Sequence, residues 1–171
     1  NALSAEKEAL ALQKEQLARE KEQLARQNAE LLKAQEQARS QFDNVVKQLQ
    51  GEVKEGQLKV TQFKNMMSVD VAEKIFFNSG SANLKKEGRE VLGKVGGVLN
   101  QYPDKYIKVV GHTDNVPTGK GSQFASNWEL AVTRATGVVR FLQEEAKVAP
   151  ERLVATGRAE FEPVADNETP E

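Results

Sequence analysis

Leucine returns every seventh residue at the start of this chain. Leu3, Leu10, Leu17, Leu24 and Leu31 form one ladder, and the segments LALQKEQ, LAREKEQ, LARQNAE and LLKAQEQ run consecutively from Leu10 to Gln37. The same register carries Ala38 and Val45 onto the seam. A hydrophobic period of 3.5 residues kept over this many heptads predicts a coiled-coil helix. With the leucines at d, the a positions are Lys7, Lys14, Lys21, Asn28, Gln35, Phe42 and Leu49. Ala11, Ala18, Ala25 and Leu32 at e widen the apolar stripe. Polar a side chains cost stability, and in a parallel homodimer they fix register. The pattern leaves two other arrangements open: packing on itself or on a partner outside this sequence, and a solvated helix held by Glu/Lys pairs. At about 1.5 Å per residue the helix reaches roughly 70 Å, a spacer's length.

The pattern changes at Gly51 and Gly56. All twelve glycines lie at or after Gly51 and all five prolines at or after Pro103, so a helix-only stretch gives way to a mixed one. Leu58, Val60, Met67, Val69 and Val71 alternate around Lys64-Asn65, which predicts a hairpin or a pair of short strands. Val69 to Phe77 reads as a strand and Asn78-Ser79-Gly80-Ser81 as a turn. A helix follows from about Leu84 to Gln101, with Leu84, Val91, Leu92, Val95, Val98 and Leu99 on one face. Its Gly93, Gly96 and Gly97 each cost roughly 1 kcal/mol against Ala, which predicts close packing of this helix on a sheet. Tyr102-Pro103-Asp104 stops it.

Lys105 to Gly111 reads as a buried strand and His112 to Ala125 as a polar loop. Ser126-Asn127-Trp128-Glu129 is a capping box that opens a helix reaching about Ala146. Arg152 to Gly157 is a last short strand. The order β-α-β-α-β predicts an α+β domain, a two-layer α/β sandwich with helices on one face of a sheet, preceded by the long N-terminal helix or coiled coil. Three parts follow: residues 1–50 as a helical coiled-coil spacer, 51–68 as a linker with a hairpin, and 69–171 as the globular domain.

Composition narrows the function. The net charge of −1 removes the basic excess that nucleic-acid binding needs. Residues 1–50 hold eight basic and eight acidic side chains, unlike a basic helix lying on a membrane surface. With no cysteine, disulfide frameworks, thiolate metal sites and thiol catalysis are excluded. No apolar run approaches the ~18 residues of a spanning helix. The chain begins at Asn1 with no signal peptide or lipidation motif, so any membrane anchor is expected outside it.

Catalytic groupings are sparse. His112 is the single histidine, and His112-x-Asp114 has no third ligand at metal spacing, so no metal and no cofactor are expected. His112 reads as a structural ring bonded to backbone at a strand end. Thr118-Gly119-Lys120-Gly121-Ser122 has the wrong spacing for a phosphate loop. The expectation is a protein that is not an enzyme. A better candidate is a charged set. Asp114 lies just past a strand end, and Asn127, Ala131, Arg134 and Val138 share one helix face. A guanidinium at the edge of a core-facing stripe needs an anion. Asp114, Asn127 and Arg134 therefore either line a pocket or form an internal Asp–Arg bridge. A pocket of this kind takes a zwitterion, with the carboxylate on Arg134 and the ammonium on Asp114.

Three motifs carry a resemblance. FFNSGSANL (76–84), VVGHTDNVP (109–117) and SNWELAVTRATGVVRFL (126–142) together resemble the OmpA-like peptidoglycan-binding domain, nearest its MotB-type branch, over roughly residues 69–165. Asn127, Leu130, Arg134, Ala135, Val138 and Leu142 fall on the family's helix pattern. The resemblance implies a non-catalytic domain that grips the diaminopimelate of the peptidoglycan stem peptide. It implies Asp114 and Arg134 as the clamp, Asn127 as a supporting contact and Thr113 acting chiefly through its backbone. Asn78 would sit at a pocket position that is often Asp. Ala131 departs from the family's usual Ser, and the family pattern continues beyond Glu171, so the C-terminus is expected to be truncated. The implied setting is the periplasm and cell envelope, including the outer membrane, with peptidoglycan as partner and a homodimer through the coiled coil. The alternatives are the periplasmic part of an ion-driven motor subunit and a structural scaffold without a ligand.

Overall fold

The computed structural model describes residues 2–63, 66–119 and 121–161. The hairpin turn Lys64-Asn65, Lys120 and the chain after Phe161 lie outside the described residues. The chain divides into two compact units, residues 1–44 and 45–171. No helix among the described residues is long and apolar enough to cross a membrane.

Helix α1 (Ala2–Gln48) is continuous over 47 residues. No glycine or proline interrupts it, and its heptads are rich in Ala, Leu, Glu, Lys and Gln, all strong helix formers. Arg19 pairs with Glu15 at 2.6 Å along one face. Such exposed i, i+4 pairs add only about 0.3–0.5 kcal/mol. The leucine ladder faces solvent in the single chain: Leu10 is 51% and Leu24 53% exposed.

In the second unit, α2 (Gln50–Lys54) leads into the antiparallel hairpin of β1 (Leu58–Phe63) and β2 (Met66–Val71), with Leu58 opposite Val71 and Phe63 opposite Met66. A four-residue helix α3 (Glu73–Phe76) follows, then α4 (Lys86–Leu99), β3 (Ile107–His112), α5 (Asn127–Glu144) and, after a 3-10 turn at Pro150–Arg152, β4 (Leu153–Ala159). β3 and β4 pair in parallel, so the described strands form two two-stranded sheets, with α5 packed on β3 and β4.

The strand read over 69–77 is shorter than expected. β2 ends at Val71, where the Ala72 amide bonds Gln57 O at 3.3 Å and closes the hairpin. The consecutive Phe76 and Phe77 are both buried, which the alternating faces of a half-exposed strand do not allow. The helical turn of α3 turns both rings into the core, at 6.4 Å between centroids.

The core of this unit reaches back before Gly51. Val45, Leu49 and Leu58 cluster with Phe76, Val91, Leu92, Val95 and Phe141. Glu52 is buried beside them, and its carboxylate pairs with the Lys94 ammonium on α4. That hydrogen bond is the main reason Glu52 titrates below the usual carboxylate range and Lys94 above the usual ammonium range. Arg152 closes the C-terminal end of α4. Its Nη2 donates to Leu99 O at 3.0 Å and Tyr102 O at 2.7 Å, and its Nε to Lys105 O at 2.8 Å.

The α4 glycines differ from the expectation. Of Gly93, Gly96 and Gly97, only Gly96 is tightly packed: a Cβ there would lie 2.3 Å from Ala146 Cβ, while Gly93 and Gly97 face open space. The close approach is therefore to the end of the α5 segment, not to a sheet. The tight helix-on-sheet contact is at Gly111, where a Cβ would fall 2.0 Å from Ala131 O. That contact lets α5 lie directly on β3.

Candidate ligand-binding site

α5 carries two of the expected residues on one face. Ser126 caps it, accepting from the Trp128 amide at 3.2 Å, and its hydroxyl donates to the Glu129 carboxylate. This hydrogen bond is the first reason Glu129 titrates below its usual range. The cap fixes the orientation of Asn127, the first helical residue. Asn127 is buried, and its Nδ2 donates to Val116 O at 3.1 Å and Asp114 O at 3.3 Å. The amide thus ties the loop after β3 to the start of α5.

That tie presents Asp114. Its Oδ1 accepts from the Val116 amide at 3.2 Å, and the residue is exposed. Thr113 is buried, and its amide donates to Ala159 O at 3.0 Å. The backbone N–H of Thr113 is therefore engaged with β4, while its Oγ1 is buried without a hydrogen-bond partner among the described residues. His112 Nδ1 is likewise buried and unpartnered among the described residues, so the backbone bond expected for that ring is not found there.

Arg134 lies two helical turns further along α5, about 10 Å on the axis from Asn127. It is only 3% exposed. Its Nε donates to Ser81 O at 2.9 Å and its Nη2 to Asn78 O at 3.4 Å. The Phe77 ring lies against the guanidinium, with Cζ 5.0 Å from the centroid. Its carboxylate partner is Glu73, at 2.6 Å from Nη1.

The five expected residues thus fall into two groups, each gathered around one α5 residue. Asp114, Asn127 and Thr113 gather where β3 ends and α5 begins. Arg134 and Asn78 meet through the Asn78 carbonyl, while the Asn78 side chain is at the exposed surface. No ion pair joins Asp114 to Arg134 among the described residues. Sequence reasoning missed Glu73, because the strand assigned to 69–77 hid it. The signal available was the break in alternation at Ala72-Glu73-Lys74, with an acidic residue placed to start a helical turn. A cavity of about 310 Å³ lies between Ala82, Gln123, Phe124, Thr133, Thr136 and Arg140, and none of the five expected residues lines it. No cluster of three or more His, Asp or Glu side chains among the described residues has the geometry to hold a metal.

This is the build of a small α+β domain with a charged, helix-borne rim, preceded by a long helix. The chain belongs to the OmpA family, whose sequence profile matches residues 76–171. It is 34% identical over 137 residues to Motility protein B of Bacillus subtilis, a match covering 78% of this chain and 52% of that protein, so the chain spans about half its relative's length. Among solved structures, the cell wall anchor of the T6SS from Pseudomonas aeruginosa superposes with a TM-score of 0.64 at 27% identity, over 73% of this chain and 85% of that one. A putative MotB-like protein from Desulfovibrio vulgaris shares the fold, with a TM-score of 0.74 at 23% identity over 80% and 84% of the two chains.

Proposed function

We propose that the globular unit binds peptidoglycan without turning it over, by gripping the zwitterionic end of diaminopimelate in the stem peptide. Asp114 takes the ammonium and Arg134 the carboxylate. Asn127 holds the Asp114 loop to α5, Thr113 ties the same loop to β4 through its backbone amide, and Asn78 fixes the guanidinium through its carbonyl. The carrying observation is the contrast on α5. A buried guanidinium is held in place by main-chain carbonyls, while the neighbouring loop offers an exposed carboxylate. Family membership and the likeness to a cell wall anchor support the same ligand. The long helix is the spacer, and its leucine seam pairs two copies of the chain, which raises apparent affinity for a polymeric wall. The protein works in the periplasm or an equivalent space of the cell envelope.

The 34% identity to a motility protein favours a second reading of the whole protein, as the wall-holding part of a motor complex. Both readings share the clamp. Co-sedimentation with purified diaminopimelate-type sacculi tests it. Wild type pellets, and folded Asp114→Ala and Arg134→Ala variants stay in the supernatant. Pelleting of both variants at the wild-type level would remove the clamp.

A further inference from the structure

We propose that Glu73 is a built-in competitor for the ligand's carboxylate at Arg134, so that binding exchanges one carboxylate for another. The inference rests on the wall-binding reading and adds a residue to it. Three of the described contacts on Arg134 are set by the fold: the carbonyls of Ser81 and Asn78 and the buried Phe77 ring. Glu73 differs from them. Its carboxylate sits 2.6 Å from Nη1, and its side chain is 46% exposed against 4% for Arg134. It stands at the first position of α3, a four-residue helix, and has room to turn toward water.

The physical logic is that of a place-holder. A buried guanidinium without an anion is costly. In the free protein Glu73 supplies the anion. A ligand carboxylate reaches the same nitrogen edge once Glu73 swings out, and the charge around Arg134 is conserved through the exchange. A lone carboxylate then gains little over what Glu73 already gives. A ligand that also carries an ammonium gains a second contact at Asp114. Glu73 therefore lowers affinity for every carboxylate at Arg134, and the second contact at Asp114 supplies the preference for a zwitterion.

Calorimetric titration of the whole chain with meso-diaminopimelic acid tests this, using wild type, Glu73→Ala, Glu73→Gln and Asp114→Ala. Glu73→Gln keeps the shape of the side chain and guards against a folding defect in Glu73→Ala. Both Glu73 variants are expected to bind about tenfold more tightly than wild type, the scale of one charge-assisted hydrogen bond, while Asp114→Ala loses binding. Wild-type binding that neither Glu73 variant tightens would overturn the inference and leave the clamp standing. No binding by wild type or by either Glu73 variant would overturn the wall-binding reading and this inference with it.

Discussion

Leu24 and Leu49 are the same residue in the same helical grammar, yet Leu24 is 53% exposed and Leu49 is 1% exposed. The first belongs to the leucine ladder of residues 1–44. The second belongs to the compact unit that starts at Val45 and packs with Leu58, Phe76 and Val95. Periodicity locates an apolar stripe; what covers that stripe depends on residues far away in sequence. The globular unit covers its own stripe, and the long helix leaves its stripe exposed in the single chain.

Substitutions sharpen this contrast. Leu49→Ala should destabilise the globular unit by about 3 kcal/mol, because it removes a fully buried side chain and leaves a cavity. Urea unfolding followed by Trp128 fluorescence measures it, and a change below about 1 kcal/mol would place Leu49 outside the core. Gly111→Ala should cost about 2 kcal/mol, since its methyl would meet Ala131 O and force α5 off β3. A thermal melt of that variant is the check.

The next effect is a pH dependence. Glu52 has a folded pKa below the ordinary glutamate value of 4.5, so its contribution is fully present above pH 4.5 and is lost as pH falls through the lowered folded value. Lys94 has a folded pKa above 10.5, so its contribution is present below pH 10.5 and is lost as pH rises through the raised value. Between these limits, Glu52→Gln should unfold at a lower urea concentration than wild type, and the gap should narrow on acidification below pH 4.5. A gap that stays constant to low pH would show that the pair contributes nothing.

The smallest effect on the globular unit belongs to Leu24→Ala, within about 0.5 kcal/mol, as expected for an exposed site. Sedimentation velocity should instead show that variant dissociating at higher protein concentration than wild type. An unchanged mass distribution would mean the leucine seam does not pair two chains.

Much of this architecture was legible in the sequence because its signals are local. The heptads define α1, the Ser126–Glu129 cap opens α5, and Tyr102-Pro103 ends α4 within a few residues of its bound. The antiparallel pairing of β1 with β2 follows from the alternation of apolar residues in both strands. Phe76-Phe77 misled, because a run of large apolar residues is read equally well as a buried strand or as a tight turn that buries both rings. Three glycines of α4 misled for a related reason: of Gly93, Gly96 and Gly97 only Gly96 meets a neighbour, and no local pattern distinguishes it from Gly93.

At the candidate site, helix geometry placed Asn127 and Arg134 on one face, and both stand on α5. Glu73 was not visible in this way, since its partner stands 61 positions away and the ion pair exists only once α3 lies beside α5. Sequence periodicity assigns a residue to a face of its own element. It does not say which other element that face will meet.

The central claim, that the globular unit holds the wall through both charges of diaminopimelate, is tested most directly by comparing two kinds of peptidoglycan. The account predicts that the protein pellets with diaminopimelate-type sacculi and stays in the supernatant with lysine-type sacculi, where the side-chain carboxylate that Arg134 would grip is missing. Equal pelleting with both, or with neither, would contradict it.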